Sequence, residues 1–376
     1  MGKTKKRKIL KCLYVFAGIV IVILAAVMLF LRLWPAFGAK ASAEKQEEYA
    51  ERASNFHDGI FYNEEDFTVM RDVEEGVRNE PLSKKGSVPS EEIPVGKPAW
   101  KENISKEELT VTWFGHSSLL IQMEGMNILI DPIFSERTSP VSFAGSKRFG
   151  KPPVSMESLP EIDVFIVSHD HYDHLGYDEI KQMKDKVEHF VVPLGVENHL
   201  ERWGVPAENI HEMAWWEEIK IDGLTIGCTP ARHYSGRSLD DRFASLWASW
   251  VLKGSNCQIF ESGDTGFGNH FEKIHETYGD FDLVLLDCAQ YDVRWPDVHM
   301  NPEESYKASR ILGAKWLVPI HWGAFRLADH PWDDPAQRML AASGENAGHL
   351  VTPKIGETVD IMDLTEWSGR WWQDVK

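Results

Sequence analysis

An uncharged apolar run, Cys12 to Leu31, opens the chain behind a dense basic flank of Lys3, Lys5, Lys6, Arg7, Lys8 and Lys11. Twenty residues at helical rise span about 30 Å, the thickness of a bilayer's hydrocarbon core. The run has no polar face, so it predicts a transmembrane helix over 12–31, with Arg32 and Trp34 at its far interface. The basic residues, as a tail over 1–11, place the N-terminus in the cytoplasm and the bulk of the protein outside. A cleaved signal peptide, cut in the Ala-rich stretch Ala36–Ala43, is the rival; the length of the apolar run favours an uncleaved anchor. Residues 32–108 turn polar and acidic, with breaks at Pro81, Pro89, Pro94 and Pro98, and read as a tether followed by a wrapping arm.

From Leu109 the pattern becomes strand-rich. Leu109–Phe114, Ser118–Met123 and Asn127–Ile130 come first, with Gly125 between the last two marking a hairpin. Strands at Ile162–Ser168 and Phe190–Pro193 follow, each trailed by a helix-like segment. Leu224–Thr229, Leu246–Leu252, Gln258–Glu261, Leu283–Asp287 and Trp316–Ile320 form a second series. A helix over Pro302–Leu312 separates its last two members, with Asn301 as N-cap, Pro302 at the first position and Glu303 and Glu304 in the first turn. Sheets covered by helices, α/β or α+β, are the reading, with one domain over 109–364 and a tail over 365–376. No internal repeat or low-complexity tract interrupts it.

Composition narrows the class. Hydrophobic content of 43% and charged content of 26% describe a globular protein with ample core material. Net charge is −18, yet residues 1–40 hold eight Lys/Arg and no Asp/Glu, so the remainder is more acidic still. Such a body repels polyanions at long range, and nucleic acid is not expected as a partner. The four cysteines form no C-x-x-C pair: Cys12 lies in the apolar N-terminal run, and Cys228, Cys257 and Cys288 read as small buried core residues without a disulfide framework, a single Cys228–Cys257 bond being the open alternative.

The chemistry concentrates at Ser168-His169-Asp170-His171-Tyr172-Asp173-His174, directly after an apolar strand. On an extended segment His169 and His171 point the same way, and Asp173 and His174 follow as the chain turns. Imidazole suits zinc, and three protein ligands with one open position is a catalytic arrangement. Three further candidates sit at or just after strand ends, where side chains converge on one sheet edge: His233, Asp264 and His321. Asp264 lies in Ser262-Gly263-Asp264-Thr265-Gly266, whose glycines permit a sharp turn. Each histidine needs a hydrogen-bond partner on its other nitrogen; His116, Asp131 and Asp170 are candidates. His57 reads as structural.

This pattern resembles the metallo-β-lactamase superfamily. Within it, the chain is similar to the zinc phospholipases D that hydrolyse N-acyl-phosphatidylethanolamine, and to their bacterial relatives. The likeness is carried by Trp113-Phe114-Gly115-His116-Ser117-Ser118, Asp131-Pro132-Ile133-Phe134-Ser135, Lys147-Arg148-Phe149, Pro230-Ala231-Arg232-His233, Gly263-Asp264-Thr265-Gly266 and Ile320-His321-Trp322-Gly323, and covers roughly residues 55 to 360. It implies a four-layer αββα sandwich and two Zn2+ per chain. By resemblance His169, His171 and His233 hold one ion, Asp173, His174 and His321 the other, and Asp264 bridges them. Two zinc ions about 3.5–4 Å apart lower the pKa of a shared water toward 7, so no Ser or Cys nucleophile is required. Asp173 carries a secondary role in proton transfer. Tyr172 and His299 match the family's substrate contacts, and the Trp215-Trp216 pair reads as packing before lipid contact. The function expected is a membrane-anchored phosphodiesterase acting on a phospholipid, with oligomerisation open. A lactonase or phosphorylcholine esterase on the same site is the runner-up, and a non-catalytic, membrane-tethered binding protein the third class.

Overall fold

The computed structural model describes residues 3–72 and 86–375. Pro81 of the arm and the side chains of Lys3, Lys5 and Lys6 lie outside the described set. Helix α1 (Lys3–Leu33) carries the apolar run, and over the 27 residues Arg7–Leu33 it is long and apolar enough to cross a membrane. None of that window is buried by the rest of the chain.

Two mixed sheets form the body. The first runs in the order β6 (Ile210–Met213), β5 (Val187–Pro193), β4 (Ile162–Ile166), β3 (Met126–Ile130), β2 (Leu119–Met123), β1 (Leu109–Trp113), β13 (Thr358–Asp360). Its β3–β6 half is parallel and its β1–β3 half antiparallel. The second runs β7 (Glu218–Ile221), β8 (Leu224–Thr229), β9 (Ser249–Lys253), β10 (Gln258–Glu261), β11 (Leu283–Asp287), β12 (Trp316–Ile320), antiparallel up to β10 and parallel after it. The expected hairpin joins β2 to β3 through Glu124 and Gly125, both at positive φ (55° and 83°), the pairing a two-residue turn of the primed type requires.

Alternation along the strands builds the layers. Ile128, Ile130, Val164 and Ile166 face the second sheet and pack with Ile226, Trp250, Leu252 and Leu285. Leu129 and Phe165 face the other way, onto α3 (Tyr177–Met183) and α4 (Glu197–Trp203) through Ile180, Met183, Leu200 and Trp203. On the far side α5 (His270–Tyr278) and α6 (Pro302–Ile311) add Phe271, Ile274 and Ala308 to the core, with α7 (Asp334–Ser343) packed beside α6. Helix, sheet, sheet, helix is the expected four-layer order. Helix α6 starts as predicted, with a reciprocal capping box between Asn301 and Glu304.

Two segments are packed more closely than a tether or a tail would be. The acidic stretch read as a tether and a wrapping arm lies on the body already at α2 (Ala43–Arg52), which buries Tyr49 with Phe56, Phe61, Leu194, Leu246 and Trp247. Arg52 secures it through Glu212 and Glu217, at 2.9 and 2.8 Å. Three aromatic side chains suffice to anchor an otherwise polar segment, since each buries a large apolar area. The stretch read as a C-terminal tail is core instead. Trp371 and Trp372 are buried with ring centroids 5.4 and 6.0 Å from Trp322, joining an apolar cluster that Trp113 and Trp332 also pack into. The cysteines are all free, and all but Cys12 are buried, as their composition implied.

Candidate metal centre

The loops leaving one edge of both sheets meet in a single pocket. His169 to His174 follow β4, His233 follows β8, Asp264 follows β10 and His321 directly follows β12. His116, between β1 and β2, joins them through backbone bonds to the other sheet: its N–H donates to the Trp322 carbonyl at 2.8 Å, and its carbonyl accepts from His321 N at 2.9 Å. The backbone is held unusually there. His116, Asp131 and His321 all adopt positive φ (56°, 43° and 70°), conformations non-glycine residues keep only where surrounding contacts over-determine them. Gly263 permits the closest approach between the halves: at φ +53°, a Cβ would stand 2.7 Å from Ser168 Cβ and 2.8 Å from the Ala248 carbonyl.

Three sets of ligand atoms overlap among the described residues, the smallest being Asp264, His299 and His321, and the two larger ones lie side by side. In one, atoms of His169, His171, His233 and Asp264 all fall within 4.8 Å of one another; in the other, so do those of His116, Asp173, His174 and His321. His169 Nε2 is 2.9 Å from His171 Nδ1, which is 3.3 Å from His233 Nε2. Asp264 touches both sets: Oδ2 is 3.1 Å from His174 Nε2, 3.7 Å from His233 Nε2 and 3.8 Å from His169 Nε2, while Oδ1 is 2.9 Å from His321 Nδ1. His174 Nε2 and Asp264 Oδ1 make these close contacts without hydrogen-bond geometry, and His321 Nε2 and His116 Nδ1 are buried without a partner. Imidazole nitrogens converging on one another, with orphaned acceptors between them, is the arrangement a cation of nitrogen and oxygen preference completes. The donor set therefore fits zinc.

Partners outside the pocket aim these atoms. His233 Nδ1 donates to the Val298 carbonyl at 3.0 Å, which turns the Nε2 lone pair inward. His174 Nδ1 is 2.6 Å from Asp131, whose carboxylate also accepts from Ser168 N at 2.8 Å. Asp170 lies outside both ligand sets; it accepts from Gly236 N, Ser245 Oγ and His199, at 2.8, 2.9 and 3.2 Å, and so pins the loop. Asn63 of the docked arm brackets His233, its side chain bonded to both the N–H and the carbonyl of that residue. Of the three partner candidates from sequence, Asp131 serves a histidine ligand, Asp170 the loop, and His116 sits 2.9 Å from the Asp173 carboxylate inside the pocket.

The electrostatics favour a cation. Asp131, Asp173 and Asp264 are buried together. Burial pushes the His174 imidazole down, but Asp264, Asp173 and Asp131 outweigh it and hold it well above the ordinary range. Burial drives His169 and His233 well below that range, and so keeps them neutral and ready to ligate. Clustered carboxylates at this depth need a positive partner.

The two expected substrate contacts differ in setting. His299 stands at the pocket's rim, its ring 4.9 Å from His321 and 5.2 Å from His233, and Nδ1 is 2.9 Å from Asp287. Burial lowers its pKa, but Asp287 raises it further, with a net upward shift. The Tyr172 hydroxyl is already engaged, donating to the Arg237 carbonyl at 2.7 Å, and its ring lies 4.1 Å from the Arg237 guanidinium. Tyr172 borders a cavity of about 1120 Å³ that runs past Trp34, Pro140, Val154 and Tyr177. None of the seven expected ligands lines that cavity; Tyr172, their neighbour in the chain between His171 and Asp173, does. Trp215 is partly buried and donates to the Trp247 carbonyl at 2.7 Å, whereas Trp216 is exposed. His57 is exposed and stacked on Tyr62.

Residues 126–322 match the family model described as the beta-lactamase superfamily domain. The chain belongs to the metallo-β-lactamase superfamily. It is 40% identical over 334 residues to an uncharacterised protein of Mycobacterium tuberculosis, covering 86% of this chain and 88% of that one. It is 35% identical over 277 residues to N-acyl-phosphatidylethanolamine-hydrolyzing phospholipase D 1 of Caenorhabditis elegans, covering 69% of this chain and 78% of that one. Among solved structures it resembles Igni18, a metallo hydrolase of Ignicoccus hospitalis, with a TM-score of 0.52 at 22% identity over 67% of this chain and 97% of that one. This superfamily member is a hydrolase, of a metal-dependent family, with a His/Asp cluster suited to metal.

Sequence reasoning passed over Arg237 and Asp287. Arg237 is buried, donates to the carbonyls of Asp170 and Leu175, and ties the metal loop to the Ala36 carbonyl. A lone arginine in Ser235-Gly236-Arg237-Ser238 carries no motif, and only the three-dimensional contacts reveal its role.

Proposed function

We propose that this hydrolase is a membrane-anchored dizinc phosphodiesterase of phospholipase D type, acting on N-acyl-phosphatidylethanolamine or a related phospholipid. The observation that carries the reading is Asp264 in contact with two adjacent ligand sets, beside a cavity that reaches the residues following α1. His169, His171 and His233 would hold one zinc, Asp173, His174 and His321 the other, with Asp264 shared. Bound zinc would supply Lewis acidity toward the phosphate oxygens and lower the pKa of a water.

The chain's own groups do the rest. Asp131 and the Val298 carbonyl fix the tautomers of His174 and His233. His299, oriented by Asp287 through Nδ1, leaves Nε2 free to take up or give a proton to a group entering over His321 and His233. Asp173, bound by His116, serves as a ligand, with proton transfer secondary. Tyr172 contributes its ring to the lining of the cavity, since its hydroxyl is committed to the Arg237 carbonyl. The phospholipase named for the worm relative supports the substrate class, and α1 supports delivery at a membrane by raising effective concentration there.

The test couples zinc content with hydrolysis by full-length protein in detergent. N-acyl-phosphatidylethanolamine, a sugar-acid lactone and a phosphorylcholine ester are offered in parallel. About two zinc ions per chain and release of phosphatidate from the first substrate alone are expected. Turnover confined to either other ester would overturn the phospholipase reading, and stoichiometric zinc without any hydrolysis would favour a binding role.

A further inference from the structure

Two exposed apolar side chains flank the point where α1 meets the body. Phe143 is 83% exposed and Leu239 84%, among the most exposed large hydrophobic residues outside α1. Single exposed apolar residues are ordinary on protein surfaces. These two are set apart by what their loops hold. The Phe143 loop accepts, at the Pro140 carbonyl, a 2.6 Å hydrogen bond from Trp34 Nε1. The Leu239 loop is tied twice: Arg237 donates to the Ala36 carbonyl at 3.0 and 3.1 Å, and Asp240 pairs with Lys40 at 2.7 Å.

These contacts fix depth. Leu33 ends the apolar helix and Trp34, 42% exposed, follows it, the position an interfacial tryptophan takes. Phe143 lies three residues, at most about 10 Å of chain, beyond Pro140, whose carbonyl holds the Trp34 indole. Leu239 lies two residues, at most about 7 Å of chain, beyond Arg237, whose side chain spans the remaining distance to the Ala36 carbonyl. Between the loops opens the cavity that Trp34, Pro140 and Arg237 border.

We infer that Phe143 and Leu239, with Trp34, form a membrane-docking rim: the body enters the leaflet that α1 crosses, with the cavity mouth facing lipid. The occupant is the bilayer itself, because the apolar helix ends between the two loops and an interfacial depth follows from covalent and hydrogen-bonded reach. This rests on the reading of α1 as an uncleaved span and deepens the phospholipid proposal by turning toward the leaflet the cavity that Tyr172, within the expected metal-ligand loop, lines. Lipid passes laterally from the leaflet into the cavity, and no exchange through water is needed.

Full-length protein is reconstituted into vesicles of phosphatidylethanolamine and phosphatidylglycerol in a Cys12→Ser background. The remaining cysteines are buried and stay unlabelled. Phe143→Cys, Leu239→Cys and, as a control on an exposed turn outside these loops, Glu345→Cys receive an environment-sensitive fluorophore. Lipids spin-labelled roughly 5–10 Å below the headgroups should quench the first two and spare the third. Equal quenching at all three positions, or none at 143 and 239, overturns the rim.

A Phe143→Glu/Leu239→Glu variant supplies the kinetic arm. Its kcat/KM toward vesicle-embedded phospholipid should fall at least roughly tenfold, since a carboxylate in hydrocarbon costs more than one decade of equilibrium. Turnover of a water-soluble short-chain analogue should be unchanged. An equal fall for both substrates overturns the proposal. If neither substrate is hydrolysed by the parent protein, the phospholipase reading fails, and the quenching pattern alone still decides the rim.

Discussion

Replacing Arg237 by alanine should destabilise the protein more than any surface substitution could. The side chain is 4% exposed. Its guanidinium serves three carbonyls, those of Ala36, Asp170 and Leu175, and lies over the rings of Tyr172 and Trp203 at 4.1 and 5.2 Å. Truncation leaves three buried acceptors unpaired at about 1–3 kcal/mol each, and removes ring contacts worth about 1 kcal/mol. Against this stands relief from burying a cation, whose pKa is pushed down by desolvation. The balance is a loss of about 3–5 kcal/mol, the usual result of removing one partner from a buried charged network. In a body of this size that corresponds to a fall of about 10 °C in Tm. Thermal unfolding of the detergent-solubilised protein, followed by near-UV circular dichroism, reads it directly. Arg237→Lys should recover less than half of the loss, because one ammonium cannot reach carbonyls on three segments. A Tm within about 2 °C of the parent for Arg237→Ala would refute the reasoning, because it would put the three bonds together below 1 kcal/mol.

Two other perturbations test the site and the arm. Asp131→Asn keeps the shape but removes the charge facing His174 Nδ1, and should weaken zinc affinity about 10- to 100-fold in a chelator competition; unchanged affinity would show that Asp131 does not aim the ligand. Glu197 is the second: burial, then the neighbouring Glu212 carboxylate, push its carboxyl up to about 8, against an opposing bond from Tyr49 and the charge of Lys45. Because the folded state binds that proton more tightly than the unfolded chain, its stabilisation is complete below pH 4.5 and lost as pH rises through about 8. Glu197→Gln should therefore lose less Tm than the parent between pH 5 and 8, and parallel Tm–pH curves would contradict this.

The convergence of the expected ligands was legible in sequence because they are of rare types and stand directly after apolar strands. His169, His171, Asp173 and His174 need only one turn of chain to converge, and His233, Asp264 and His321 each follow a strand that the apolar pattern marks. The strands β8, β10, β11 and β12 could be bounded to the residue for the same reason, being apolar runs closed by polar or turn-forming residues. The edge strands β6, β7 and β13 escaped, since their half-exposed residues show too little apolar periodicity. The docking of α2 escaped because Tyr49, Phe56 and Phe61 are diluted by acidic neighbours, and their partners lie about 140 to 190 positions away. Arg237 and Asp287 act through backbone carbonyls and a second histidine, contacts that leave no spacing to read.

Trp371 and Trp372 close the space behind Trp322, the neighbour of His321. A chain cut before position 371 would open one side of the Trp322 ring to water, and the strand that carries His321 would lose part of its packing although it holds every residue of its own.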